Sequence, residues 1–386
     1  MSKKTGLVLT GGGARGAYQA GVLRGIAEIL GSGAGGSDDC PFPIITGVSA
    51  GAINAGFIGA RSGSFSESTR RLCEIWNNLS PADVIKTSAA SLGGIGLRWL
   101  RDLTSGGKGP GERVTHLLDS APLRGFLEGL IDFEQMQKNI ATGGLHGICF
   151  TATSYRTGTA ISFYDGSPGI PPWSRSARLG KRSPLTIDHI LASASIPIFF
   201  RPVRIGNAYY GDGGIRLSTP LSPAIHLGAD RVLAIGIRYS RPSDMVYELN
   251  EFAELHEITL ADISGVLMNA LFLDALDADI ERMTRINQTV ELLSTEKAAL
   301  HPYKLRKIPV LSIKPSRDLG ALASDQFERF PMILKYLLRG TGASHDKGWD
   351  MLSYLSFDSS YTRALVEVGY EDALRQRIEI EVFFGE

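Results

Sequence analysis

Ile44-Ile45-Thr46-Gly47-Val48-Ser49-Ala50-Gly51-Ala52-Ile53 reads as a buried apolar strand that runs straight into a helix through G-x-S-x-G. Glycines two positions either side of Ser49 let the chain turn sharply without Cβ clashes. The serine hydroxyl is thereby lifted clear of the turn, at the N-terminus of the following helix. There the positive end of the helix dipole favours negative charge developing on oxygen. The same pattern also serves as plain punctuation between strand and helix, so it must be read with its surroundings.

Nearer the N-terminus, Gly6-Leu7-Val8-Leu9-Thr10 is a second short strand-like run, followed at once by Gly11-Gly12-Gly13-Ala14-Arg15-Gly16. The segment from Ala17 to Leu30 then carries Val22, Ile26, Ile29 and Leu30 at helical spacing. A glycine loop between strand and helix leaves backbone N–H groups unpaired and suited to an anion, either a phosphate or an acyl-transfer oxyanion. Arg15 adds a positive charge to the loop.

Two functional classes compete for it. Gly11, Gly13 and Gly16 satisfy the dinucleotide fingerprint G-x-G-x-x-G, which would make the chain a nucleotide-binding regulator. That reading wants an acidic residue closing the second strand, but Thr46-Gly47 and the serine turn stand there, and Asp38 and Asp39 precede the strand. No Lys-Ser or Lys-Thr follows the glycines, so a P-loop does not fit either. A glycine loop and a serine elbow at the carboxyl ends of two parallel strands would face one cleft, which favours acyl transfer.

A serine nucleophile needs a base. Of the seven histidines, His189 lies in a helical stretch suited to a surface or capping role, and His345 in Gly342-Ala343-Ser344-His345-Asp346 is the best triad candidate. Ala208-Tyr209-Tyr210-Gly211-Asp212-Gly213-Gly214 instead places a carboxylate between glycines straight after an aromatic strand. Asp-Gly alone signals a hairpin turn; beside an elbow lacking its histidine, Asp212 becomes a candidate base.

These residues resemble a family. Gly11–Gly16, Gly47-Val48-Ser49-Ala50-Gly51, Ala192-Ser193-Ala194-Ser195-Ile196-Pro197 and Asp212-Gly213-Gly214 look like the four signature blocks of patatin-like phospholipases, in that family's order, over roughly residues 5 to 240. The resemblance implies a three-layer α/β fold of patatin type, with a mostly parallel central sheet and a serine nucleophile elbow. It implies a lipid acyl hydrolase with a Ser-Asp dyad and no catalytic histidine, of phospholipase A or lysophospholipase type, or a transacylase using the same dyad. It carries over Ser49 as nucleophile and Asp212 as base. The Gly11, Gly12, Gly13, Arg15 and Gly16 loop becomes the oxyanion hole, with Gly47 and Gly51 the elbow and Gly213 and Gly214 the dyad turn. Asp-Gly-Gly stands where Asp-Gly-Ala is commoner. No cofactor or metal is implied, and the expected partner is an acyl-ester lipid. Ser49 Oγ and the Asp212 carboxylate are expected within hydrogen-bond reach, although 212 − 49 = 163 positions separate them.

Composition agrees. With 386 residues there is material for a large core, read as a catalytic domain over 5–240 and a mostly helical region over 241–386. Forty basic and forty acidic residues cancel, so there is no global pull towards nucleic acid. Three cysteines cannot all pair, which fits a reducing compartment. The short apolar run after Met1-Ser2-Lys3-Lys4 is too brief for a signal peptide, and no apolar run reaches the roughly 18 residues of a spanning helix. The expectation is a cytoplasmic protein that meets membrane peripherally. Two segments are the main candidates for that contact; the apolar stretch Val266–Leu273 is expected to pack in the core, with lipid contact as its lesser reading. Lys86–Gly111 is Ser/Gly-rich with Leu97, Trp99 and Leu100. Pro168–Pro184 reads as a basic loop with Trp173, Arg175, Arg178, Lys181 and Arg182. Ile198-Phe199-Phe200, Val203-Arg204-Ile205 and Ala208-Tyr209-Tyr210 read as strands, and Ser264–Leu293 as one helix.

Overall fold

The structure, a computed structural model, describes residues 3–31, 38–61, 64–105, 114–252, 258–293, 305–330, 335, 339–340, 342 and 348–385. Ten strands form one sheet: β1 (Thr5–Leu9), β2 (Ile44–Val48), β3 (Gly147–Ser154), β4 (Thr159–Gly166), β5 (Trp173–Arg175), β6 (Arg178–Arg182), β7 (Val203–Ile205), β8 (Ala208–Asp212), β9 (Arg231–Ile235) and β10 (Val310–Ile313). Their order is β10-β9-β1-β2-β3-β4-β6-β5, with β8 paired to β3 and β7. The run from β10 to β3 is parallel throughout.

Alternation along the central strands divides the core. Leu7, Leu9, Ile45, Leu233 and Ile235 face one apolar layer, built on helices α1 (Ala17–Gly31) and α2 (Ala50–Ala60). Val8, Ile44, Val232 and Ala234 face another, with Leu221, Ala224 and Leu276. A strand buried on both faces reads as a near-continuous apolar run, which is why β1, β2 and β9 stand out in the sequence. The result is the expected three-layer α/β architecture around a mostly parallel sheet.

Residues beyond 240 return to the same core. β10 extends the sheet beside β9, and the Ser359–Arg375 helix crosses α1 in backbone contact. At that crossing a Cβ on Gly21 would lie 1.9 Å from the Val366 carbonyl oxygen, and one on Gly369 would lie 2.1 Å from that of Tyr18. Only glycine permits such an approach.

Four local expectations change. Ile198–Phe200 is a turn and not a strand: Ile198 takes φ 71° and is exposed, and the Ile198 and Phe199 carbonyls accept from the Leu117 and Leu118 N–H groups. The helix expected over Ser264–Leu293 is two, Leu260–Phe272 and Asp274–Glu291, which break at Leu273. Pro168–Pro184 is not a loop but carries the β5–β6 hairpin on the sheet edge. Trp173 stacks there between Tyr164 and His226, each at 4.8 Å between ring centroids, and Arg182 donates to the carbonyls of Gly166, Ser167 and Ile170. Lys86–Gly111 contains a helix over Ala89–Thr104 that buries Ile95 and exposes Leu97, with 106–111 outside the described residues. Among the described residues, no helix is long and apolar enough to cross a membrane.

Candidate active site

Strand β3 brings the elbow and the carboxylate together. β2 pairs in parallel along its first half, ending at Val48 opposite Thr151. β8 approaches from the other end, antiparallel, and finishes with Asp212 opposite Ala152. The two strands therefore meet head-on along one edge of β3, at consecutive register positions, about 3.3 Å apart along the strand. Each chain then turns away, Ser49 into α2 and Gly213 into a short 3₁₀ turn.

The turn at Ser49 is strained. Ser49 adopts φ 56°, ψ −129°, a region that non-glycine residues avoid. The strain is held by close packing: a Cβ on Gly47 would lie 2.3 Å from the Gly51 carbonyl oxygen, and one on Gly51 would lie 2.2 Å from that of Leu9. The Ser49 side chain makes no capping bond to α2, so its hydroxyl is not consumed by the helix it begins. Its backbone N–H donates to Ser193 Oγ at 2.9 Å, and Ser193 in turn donates to the Thr151 carbonyl at 2.6 Å. Ser193 thus ties the elbow to β3. The sequence shows Ser193 within a Ser/Ala block but offers no local sign of this task, because three separate segments must meet to create it.

Asp212 is fully buried. Its Oδ1 accepts from the Gly214 N–H at 2.8 Å, and its backbone is pinned by Ser195 and Thr153. Its Oδ2 has no hydrogen-bond partner among the described residues. Burial pushes the carboxyl up to about 7, against the lowering influence of the Ser49 hydroxyl and the Gly214 N–H. Ser49 is thus near enough to bias the carboxyl, yet the pair falls short of hydrogen-bond geometry.

The glycine loop lies against the same elbow. A Cβ on Gly11 would sit 2.8 Å from Ser49 Cβ and 3.5 Å from its Oγ. No hydrogen bond occupies the Gly11 or Gly12 N–H among the described residues. A buried polar network fixes the loop's far end. Asn54 donates to the Gly16 carbonyl and to Gln19, accepts from Trp76 Nε1, and Gln19 donates to the Thr10 carbonyl. Arg15 turns away from the serine. Its guanidinium, almost wholly buried, pairs with Asp350 at 2.8 Å, donates to Ser353 Oγ at 2.8 Å, and lies 4.7 Å from the Tyr354 ring centroid. Gly13 backs onto that same Trp349–Leu355 helix, where an added Cβ would lie 2.2 Å from the Tyr354 carbonyl oxygen. Arg15 therefore anchors the loop from behind, and Gly16 packs on Ala50 and Trp76.

A narrow apolar channel opens onto Ser49 and Gly13. Its cavity volume is about 50 Å³, between side chains such as Phe57, Trp76, Leu127, Phe200 and Phe357. His189 caps its own helix, its Nδ1 accepting from the Thr186 N–H at 3.1 Å, as a capping role requires. His345 lies outside the described residues.

A family model described as patatin-like phospholipase matches residues 7–225, more than half of the chain. The chain belongs to that family. Membership makes this patatin-like protein a lipid acyl hydrolase in general kind. Among solved structures, VipD from Legionella pneumophila aligns at 12% identity over 98% of this chain and 67% of its own, with a TM-score of 0.35. Human GIVD cytosolic phospholipase A2, solved in complex with methyl gamma-linolenyl fluorophosphonate, aligns at 12% identity over 97% of this chain and 60% of its own, also with a TM-score of 0.35. The chain thus spans about two thirds and three fifths of those proteins' lengths. No curated protein sequence matches this patatin-like chain.

Proposed function

We propose that this chain hydrolyses the carboxylic esters of phospholipids or lysophospholipids through a Ser49–Asp212 dyad. The observation that carries the reading is the half-satisfied Asp212 carboxyl, sealed from water beside a strained serine at the head of an apolar channel. An ordinary aspartate, with a pKa of about 3.9, is a poor base towards a hydroxyl. One raised to about 7 can both take and hold a proton at neutral pH. Oδ2 is the acceptor without a partner, and it is the oxygen proposed to receive the Ser49 proton.

An acyl chain seated in the channel would present its ester carbonyl to Ser49 Oγ. As Oγ bonds to the carbonyl carbon, Asp212 Oδ2 takes the hydroxyl proton, and the Gly11 and Gly12 N–H groups receive the developing oxyanion. Collapse of the tetrahedral intermediate expels the alcohol, which leaves with the proton from Asp212. Water then attacks the acyl-enzyme by the reverse sequence, with Asp212 again accepting the proton. Gly47 and Gly51 allow the elbow, and Gly213 and Gly214 turn the chain so that one carboxyl oxygen stays free.

A fluorophosphonate probe followed by peptide mass analysis tests the assignment. Labelling should fall on Ser49 and be lost in Asp212→Asn. Undiminished labelling in Asp212→Asn would remove the dyad and return attention to His345. Product analysis with an added acceptor alcohol distinguishes hydrolysis from acyl transfer.

A further inference from the structure

The Leu260–Phe272 helix is apolar on two separate faces. At 100° per residue, Ala261, Gly265, Met268 and Phe272 form a stripe that is buried. Leu260, Ile263, Val266, Leu267 and Leu271 form a second stripe on the other side, and each of these is 41–66% exposed. A helix packed only against its own protein needs the first stripe and gains nothing from the second. Its single charged residue, Asp262, is spent on local structure: it caps the helix through Thr259 and accepts from the Gly348 N–H. The outward face therefore presents five large apolar side chains without a charge.

The surroundings of the helix identify what such a face fits. At its C-terminal end, Ala270 and Leu271 share an open surface groove with Arg178, Arg216 and Arg282. The three arginines outnumber the acids there, Asp274 in the groove and Asp279 at 3.5 Å from Arg282, in a chain of zero formal charge. An apolar stripe ending in a basic rim matches a layer whose surface is anionic and whose interior is hydrocarbon. The same end of the helix touches the candidate dyad turn. Phe272 packs so closely on Gly214 that an added Cβ would lie 2.4 Å from its ring, two residues from Asp212.

We infer that the exposed face of the Leu260–Phe272 helix docks the protein on an anionic phospholipid surface, with Arg178, Arg216 and Arg282 meeting the headgroups. This deepens the proposed function, since it names the source of the lipid, and it rests on reading the dyad as a lipid esterase. The site shares Arg178 with the Trp173 hairpin but not Trp173 itself, whose indole is already stacked inside the fold.

The test is sedimentation of full-length protein, in a Ser49→Ala background so that no vesicle is consumed, with vesicles of phosphatidylcholine containing one third phosphatidylglycerol. Val266→Glu with Leu267→Glu should weaken binding by about tenfold or more, because two apolar anchors are replaced by charges. Ile263→Gln with Leu267→Gln, which removes apolar contact without adding charge, should weaken it several-fold and guards against a folding artefact. Melting temperature should stay unchanged in both, as all these side chains are exposed. Pure phosphatidylcholine or high salt should weaken wild-type binding a few-fold through loss of the basic rim's contribution. Vesicle binding unaltered by both double variants overturns the proposal, as does failure of the parent protein to bind. Concentration-dependent dimers abolished by the same substitutions would overturn it too, by assigning the face to a second copy of the chain. Turnover of a soluble short-chain ester by the Ser49-containing protein is measured alongside. Its absence would sink the esterase reading while leaving the vesicle result to stand alone.

Discussion

The two glycine-rich turns at the site are held in opposite ways. Gly11–Gly16 is supported on every side: Asn54, Gln19, Thr10 and Trp76 close a buried polar network, and Arg15 ties the loop to Asp350 and Ser353. The Asp212–Gly214 turn is anchored by its backbone yet leaves one buried carboxyl oxygen without a partner. Buried polar groups are usually paired, because an unmatched one costs about 1–3 kcal/mol, and of the four buried side-chain atoms without a partner among the described residues Asp212 Oδ2 is the one on a carboxylate. The loop thus spends its polar contacts on rigidity, as backbone donors need if they are to await charge. The turn withholds one contact, as a proton acceptor must. The difference separates residues that shape a site from the residue proposed to react.

The strongest way to break this contrast is at the dyad. Ser49→Ala and Asp212→Asn should each lower ester hydrolysis by about 10⁴-fold, and the double variant should be hardly worse than either, because the two act as one unit. Initial rates on a soluble ester measure this, with circular dichroism to check the fold. A double variant that multiplies the two losses would mean that the residues act independently.

The next prediction concerns pH. Since the base must be ionised, turnover should rise with pH and level off above about 7. Stability should move the other way. The folded carboxyl has a higher pKa than the unfolded one, so its contribution is fully present below about 4 and is lost as pH rises through about 7. Asp212→Asn removes that loss. It should therefore stabilise the protein at pH 8 relative to pH 5, by about 3 kcal/mol, because about two of the three units lie above pH 5. Paired melting curves at the two pH values check this, and equal shifts would mean an ordinary carboxyl.

Smaller effects probe the loop. Asn54→Ala should cost about 3 kcal/mol in chemical denaturation, since Gly16, Gln19 and Trp76 each lose a partner in a buried setting. Asp350→Asn, at a half-exposed position, should cost about 1–2 kcal/mol and lower kcat more than KM, as the loop's rear anchor weakens. A change in KM alone would place Asp350 in substrate binding instead.

Legibility in the sequence followed distance along the chain. The elbow was readable because its strand, glycines and helix are contiguous, and β1, β2 and β9 because burial on both faces leaves unbroken apolar runs. Asp212 was readable as a turn, and as a base only beside the family's other blocks. Ser193 and the Arg15–Asp350 pair were not, because nothing near either residue shows a partner 144 or 335 positions away. Ile198–Phe200 misled because β-branched and aromatic residues favour strands, whereas hydrogen bonds from Leu117 and Leu118 hold that segment as a turn. Trp173 looked like a surface anchor since its stacking partners, Tyr164 and His226, belong to separate elements.

The head-on meeting of β2 and β8 on β3 has a consequence for how the protein matures. Emerging from the ribosome, the chain makes its candidate nucleophile early and the candidate base 163 positions later, and the register that unites them needs β3 in place first. The residue that backs the glycine loop, Tyr354, lies a further 354 − 212 = 142 positions on. Contacts of such long sequence separation form slowly, since loop closure must precede any reward. If the proposed dyad is the site, esterase competence is among the last properties the nascent chain acquires, and a partly made polypeptide bearing Ser49 poses little threat to the lipids around it.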